Sequence, residues 1–297
     1  MNEKVKISRC SFKRFGRTVA IIQARMGSSR LPGKVLKEIE GQPMLVRVIE
    51  RATRSKLADA VVIATTTNAE DDAIAALCAS RGYAFYRGEP LDVLDRYYRA
   101  ALRYAAQTII RLTADCPLID PDLIDRTVSF FRGDEGVQPN YTPTKERPYY
   151  WDFTANRLPP PWKRTYPIGL DVEVCSFHAL ERAWKEAKLS HQREHVMPYL
   201  YESTLIADSR DMSGYYEAID RENTSSAFRA LVVHHHTDFG RLRWAVDTAQ
   251  DLEMIRKLFR ILDNSLEFSW LDILKYFQED KALLKMNKEI KQKSVYE

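Results

Sequence analysis

Short apolar runs rich in β-branched residues alternate with helical patterns along the first part of the chain. Val19–Gln23 (VAIIQ) reads as a buried strand that runs into the loop Ala24–Lys34, which holds two glycines and a proline. Pro43 opens a helix with Met44, Leu45, Val48, Ile49 and Ala52 on one face. Ala60–Ala64 (AVVIA) predicts a second buried strand, Ala69–Arg81 a helix stopped by Gly82, and Tyr83–Tyr86 a short strand. A helix over Leu91–Ala106 and a strand over Thr108–Leu112 (TIIRL) follow. Continuously apolar strands that alternate with helices predict a mostly parallel α/β sheet covered by helices on both faces.

The alternation lapses between about residues 133 and 167. Seven of the chain's 13 prolines fall there, together with Tyr141, Tyr149, Tyr150, Trp151, Phe153, Trp162 and Tyr166. Proline restricts sheet pairing, so this stretch is expected to leave the core sheet as an inserted arm or lid. Next, Leu170–Val174 (LDVEV) predicts a strand with Asp171 and Glu173 on one face and Leu170, Val172 and Val174 toward a core. A helix from Phe177 to about Lys188, a helical segment with Glu194, His195 and Tyr199, a strand at Leu242–Val246 (LRWAV), a helix from Thr248 to about Leu262 and one final helix complete the pattern. Residues 1–17 read as a flexible basic tail, 18–280 as a single domain and 281–297 as a second basic tail.

Composition narrows the class. With 297 residues, 45% of them hydrophobic, the chain can bury a sizeable core, which excludes a disordered protein or a small disulfide scaffold. No apolar run approaches the ~20 residues that span a bilayer. A net charge of +4 supplies no ground for a nucleic-acid partner. Cys10, Cys78, Cys116 and Cys175 form no CxxC pair and read as small buried hydrophobes of a reducing, cytoplasmic protein. The first residues lack the apolar centre of a signal peptide.

The chemistry concentrates in the loop that ends the first strand. Arg25, Arg30 and Lys34 stand among Gly27, Ser28, Ser29 and Gly33, a pattern that offers backbone amides and cations to phosphate oxygens. It is not a Walker A loop, because one residue too many separates Gly27 from Gly33 and Val35 stands where a magnesium-binding Ser or Thr belongs. No GxGxxG occurs. Asp115 and Asp247 each lie just past an expected strand, where an acidic residue is either a turn or cap residue or a metal ligand. Asp120 precedes Pro121 and reads as a cap. In the run His234–His236, His234 and His236 share a face if extended, so a ligand set stands beside a purely structural reading.

The run Ala24–Lys34 (ARMGSSRLPGK) resembles the signature loop of the CMP-Kdo synthetase-like cytidylyltransferases, and most of all their spore coat polysaccharide biosynthesis branch. Asp92–Tyr98, Arg111–Pro121, Gly169–Val174, Arg193–Tyr199 and Arg243–Leu252 resemble that branch too, in order, so the likeness spans Val19 to about Leu262. It implies a Rossmann-like (GT-A-like) nucleotidyltransferase domain that moves CMP from CTP to a hydroxyl acceptor, releasing pyrophosphate, for surface polysaccharide or glycoconjugate synthesis. The resemblance implies that Ala24, Arg25, Gly27, Ser28 and Ser29 cradle nucleotide and that Arg30 and Lys34 hold the β- and γ-phosphates. It also implies that Asp115 and Asp247 bind Mg²⁺ and that Asp92 and Arg96 orient the base or ribose. Asp171, Glu173 and His195 fall to the acceptor side, where this chain departs from true CMP-Kdo synthetases; the acceptor is therefore not carried over. A homodimer is expected, with the aromatic excursion as its contact, because those rings would otherwise form an exposed apolar patch. The rival readings are a glycosyltransferase that uses a nucleotide sugar and a non-catalytic nucleotide-binding subunit.

Overall fold

The strand β1 (Thr18–Gln23) sends Val19 and Ile21 into one apolar layer and Ala20 and Ile22 into another, and all four are fully buried. A strand buried on both faces belongs inside a sheet sandwiched by helices. The computed structural model describes residues 15–134, 149–202, 204–210, 228–287 and 289–290. Within them the further strands are β2 (Glu38–Ile39), β3 (Gln42–Pro43), β4 (Ala60–Thr66), β5 (Ala84–Gly88), β6 (Thr108–Thr113), β7 (Phe153–Ala155), β8 (Glu173–Ser176), β9 (Ile206–Asp208) and β10 (Ala230–Val232). An 8-stranded sheet runs in the order β5-β4-β1-β6-β8-β7-β10-β9. Its pairs are parallel except at β8, which is antiparallel to both β6 and β7.

The helices are α1 (Met44–Ala52), α2 (Asp72–Arg81), α3 (Val93–Arg103), α4 (Pro121–Arg132), α5 (Phe177–Glu186), α6 (Ser190–His195), α7 (Pro198–Tyr201), α8 (Ala249–Ile261), α9 (Trp270–Glu279) and α10 (Lys281–Met286). α1, α2, α4, α8, α9 and α10 pack into the layer of Ala20 and Ile22, whereas α3, α5 and α7 join that of Val19 and Ile21. This is the expected mostly parallel α/β sheet with helices on both faces. Asp120 is the expected cap: it accepts the Leu123 amide at 2.8 Å and also the Trp270 amide at 2.6 Å. Cys78, Cys116 and Cys175 are buried and free, as expected; Cys10 lies outside the described residues.

The chain places β4 and β5 on one side of β1 and then crosses to the other side for β6. Such a change of direction leaves a crevice outside the carboxyl ends of the strands. The loops that follow β1 and β6 border it.

Three expectations are corrected. The proline-rich stretch does not leave the sheet: β7 sits between β8 and β10. The prolines bracket residues 149–158, which contain none, so the ladder there keeps its donors. Of the stretch's aromatics, Trp151 and Phe153 are fully buried and Tyr149 and Tyr166 nearly so, and these four leave no exposed patch for a partner chain to cover. Residues 135–148, the rest of that expected arm, lie outside the described residues. Second, Leu242–Val246 is not a strand but an extended segment with a single bridge, Ile168 to Arg243. Gly169 (φ 103) turns its neighbour away, and a Cβ there would lie 2.6 Å from the Ala245 nitrogen, so only glycine fits. Third, the tails are shorter than expected. Phe15 is buried and stacks on Tyr149, and Leu283 and Asn287 are buried at the other end. Residues 1–14 and 291–297 lie outside the described residues. The histidine run takes the structural of its two readings: β10 ends before it, His234 lies between Asp208 and the Lys163 carbonyl, and no group of three or more metal-type ligands occurs among the described residues.

Trp151→Ala is expected to destabilise the fold by about 3–5 kcal/mol, because it empties a fully buried site in the layer between sheet and helices. Equilibrium unfolding in urea measures this.

Candidate active site

The loop after β1 is closed by its own backbone. The Gly33 amide donates to the Met26 carbonyl at 3.0 Å, and Gly33 (φ 66) then starts the short 3-10 turn Lys34–Leu36. The left-handed conformation is what glycine supplies cheaply. The Met26 amide is held at 2.6 Å by Asp71, from the turn after β4. Between these anchors, the amides of Gly27, Ser28 and Ser29 donate to nothing among the described residues. Unpartnered amides in a row beside cationic side chains form an anion cradle.

Arg30 and Lys34 reach from this loop across the crevice. Lys34 Nζ donates to Asp115 Oδ2, Asp247 Oδ1 and the Val246 carbonyl, each at 2.8 Å. Arg30 pairs with Asp247 at 2.9 Å. Burial alone would lower the Lys34 pKa, but Asp115 and Asp247 outweigh it and hold the ammonium above its ordinary range. Burial likewise pushes Asp115 up, yet Lys34, together with hydrogen bonds from Lys34 and Thr113, carries it below the usual carboxylate range. Thr113 donates to Asp115 at 2.6 Å from the end of β6. These groups line a cavity of about 570 Å³ with Ala24, Arg25 and the Gly27–Ser29 cradle.

Asp247 is braced from behind. Arg243 donates to it at 2.6 Å and to Asp251 at 3.1 Å. Asp251 also accepts the Asp247 and Thr248 amides at 3.0 Å, which caps α8. Asn287 then donates to Asp251 at 2.9 Å and to the Arg243 carbonyl at 3.0 Å. The segment expected to be a tail thus supports the site. Asn287→Ala leaves two buried acceptors short of a donor and is expected to cost about 1–3 kcal/mol of stability and to lower turnover. Urea unfolding and pyrophosphate release measure the two effects.

The other expected residues flank the cavity. Asp92 caps α3 by accepting the Asp95 amide at 2.9 Å, and it pairs with Arg193. Arg96 is buried and donates to the Glu89 carbonyl at 2.6 Å. Neither lines the cavity. Leu170, Val172 and Val174 enter the core as expected. Asp171 is held by Arg164 and, at 3.6 Å, by Arg157; burial pushes its carboxyl up, but the arginines hold it below its usual range. Glu173 pairs with Arg111, which also donates to Gln23 at 3.1 Å. These pairings leave the two carboxylates poorly placed as proton acceptors. His195 ends α6, and burial together with nearby Arg111 lowers its pKa, which favours the neutral ring. The next residue, Val196, has φ 72, a rare conformation for a β-branched side chain.

Residues 19–290 match the family model described as cytidylyltransferase. This chain belongs to the cytidylyltransferase family.

Relatives of this family match nearly end to end. A 3-deoxy-manno-octulosonate cytidylyltransferase from Anaeromyxobacter sp. is 37% identical over 253 residues, covering 80% of this chain and 96% of its own. The spore coat polysaccharide biosynthesis protein SpsF of Bacillus subtilis is 42% identical over 244 residues, covering 81% and 85%. A solved cytidylyltransferase from Leptospira borgpetersenii superposes with a TM-score of 0.73 at 28% identity, covering 93% of this chain and 99% of that one. This cytidylyltransferase is therefore a CTP-using nucleotidyltransferase. Among its described helices none is long and apolar enough to cross a membrane.

Sequence reasoning missed Asp71, Arg243, Asp251 and Asn287. Arg243 and Asp251 lay inside a motif already singled out, and Thr248 followed by Asp251 is a capping-box pattern that was legible. Asp71 and Asn287 carried no signal of their own.

Proposed function

We propose that this cytidylyltransferase transfers CMP from CTP to a hydroxyl of a sugar, sugar acid or related acceptor in a Mg²⁺-dependent reaction. The observation that carries the reading is the meeting of Lys34 and Arg30 with Asp115 and Asp247 beside three unpartnered loop amides. The acceptor oxygen forms a bond to the α-phosphorus, the bond from that phosphorus to the bridging oxygen breaks, and pyrophosphate leaves as the hydroxyl proton is lost. Negative charge grows on the leaving pyrophosphate, where preorganised cations and amides are most effective. Arg30, Lys34 and the Gly27–Ser29 amides bind it in this reading.

Magnesium fits the donor set. Asp115 and Asp247 offer hard carboxylate oxygens that converge on one ammonium, and Mg²⁺ needs few protein ligands when phosphates complete its shell. When bound, the ion neutralises phosphate charge. Asp171, Glu173, His195 and the arginines that hold the first two would orient acceptor hydroxyls. The name of the Bacillus relative favours a product used in surface polysaccharide or related glycoconjugate synthesis. We keep a two-fold dimer in this reading on the commonness of such dimers alone, and sedimentation of the intact protein decides it.

Incubation with Mg²⁺, a panel of sugar acids and phosphorylated alcohols, and either radiolabelled CTP or a radiolabelled CMP-sugar tests the reading. Pyrophosphate release that depends on one acceptor is the expected result. Consumption of a CMP-sugar without pyrophosphate release points to a glycosyltransferase, and tight CTP binding without turnover on any acceptor points to a binding subunit.

A further inference from the structure

Asp71 is fully buried, yet its hydrogen bonds go to no cation among the described residues. A buried carboxylate is costly unless its oxygens are satisfied. Here Oδ1 accepts the Met26 amide at 2.6 Å and Oδ2 accepts the Thr66 hydroxyl. Met26 is the residue at which the two ends of the loop meet, since its carbonyl accepts the Gly33 amide at 3.0 Å. The free amides of the cradle begin at the next residue. The same turn also crowds the loop from below: a Cβ on Gly27 would lie 3.2 Å from Glu70 Oε1. Two acidic residues under an anion cradle repel its ligand, so their presence there calls for a gain in geometry.

We propose that Asp71 is a positioning residue for the nucleotide, fixing Met26 so that the Gly27, Ser28 and Ser29 amides stay aimed at the triphosphate. The proposal rests on the reading of this loop as a triphosphate cradle. Loss of the carboxylate frees the Met26 amide and lets the cradle drift, and a misplacement of about 1 Å costs up to about 100-fold in rate.

The intact protein and its Asp71→Asn, Asp71→Ala and Thr66→Val variants are titrated calorimetrically with inorganic pyrophosphate and with CTP in magnesium buffer. Each is also assayed for KM and kcat with CTP, with thermal unfolding as the control for folding. Asp71→Asn keeps an acceptor for the Met26 amide and a bond to Thr66, so affinity within about threefold of the unmodified protein is expected. Asp71→Ala is expected to weaken pyrophosphate binding and raise KM for CTP by about tenfold or more, with a smaller change in kcat. Thr66→Val removes one of the two bonds and is expected to do the same to a lesser degree.

A folded Asp71→Ala protein with unchanged pyrophosphate affinity overturns the proposal. So does an Asn variant as damaged as the Ala variant, because charge rather than geometry would then be the function. If Asp71→Ala does not fold, unchanged affinity in Thr66→Val overturns it. An unmodified protein that binds neither pyrophosphate nor CTP rejects the cradle reading, and the proposal with it. Binding that is indifferent to these variants rejects the proposal alone.

Discussion

Lys34→Ala is expected to cut turnover at saturating CTP by about 10²–10³ while the fold survives. Among the described residues the ammonium is the one group that touches Asp115, Asp247 and the Val246 carbonyl together, and it stands at the border of the amide cradle. Removing a cation aimed at developing charge costs roughly 2.7–4 kcal/mol of transition-state stabilisation, a loss of about 10²–10³ in kcat. The raised pKa means that Lys34 stays protonated through neutral pH, so the wild-type rate does not fall there for want of its charge. Arg30→Ala is expected to lose activity through the same chemistry, since Arg30 borders the same cavity and pairs with Asp247 at 2.9 Å. Pyrophosphate release under saturating CTP is the measurement, with circular dichroism as the check on folding. Near-normal turnover in either variant removes that residue from the triphosphate site.

Asp115→Asn and Asp247→Asn form the second large prediction. Each replaces an anionic oxygen with a neutral amide at a site suited to a hard cation, and each also removes one of the carboxylates that hold Lys34. The Mg²⁺ midpoint is expected to rise by about tenfold or more, with turnover falling alongside. The Asp115 substitution also disturbs the acceptor of the Thr113 hydroxyl, and the Asp247 substitution disturbs that of Arg30 and Arg243. With its pKa held below the ordinary 3.8, Asp115 contributes ion-pair stability that is present above that value and is lost only as pH falls through the lower, folded-state one. Protonation of Asp115 therefore does not limit the enzyme near neutrality. Calorimetric titration of Mg²⁺ in the presence of CTP, together with the rate, measures both effects. An aspartate whose substitution changes neither is not a metal ligand.

The two predictions have unequal roots in the chain. Strands β1, β4 and β6 were legible because they are buried on both faces, and such strands read as near-continuous apolar runs rich in β-branched residues. The cradle was legible for the same local reason: glycine, serine and cations within a few residues of a strand end supply its chemistry without help from elsewhere. Family motifs then drew Asp115 and Asp247 toward one site although they stand 132 positions apart in sequence.

Local reading failed where a residue's meaning depends on what folds against it. Asp92 was expected to orient the base or ribose; aspartate before a helix is also a preferred cap, and only the folded chain adds its pairing with Arg193. The proline-rich stretch was read as an excursion because proline was counted over the whole span. Sheet pairing depends instead on where the donors are missing, and residues 149–158 miss none. Asn287 was read as part of a solvated tail, since nothing in a lysine-rich segment announces a buried amide.

By itself, then, the amino-acid sequence determined the parallel sheet, the cradle and the family, each written in short runs whose periodicity and side-chain chemistry act locally. The tertiary structure alone decided that Lys34 lies between Asp115 and Asp247, that Asp71 anchors Met26 and that Asn287 braces Asp251. Lys34 and Asp247 stand 213 residues apart. A hydrogen bond needs its partners within about 3 Å in a set direction, and no local pattern encodes that condition until the chain has closed on itself.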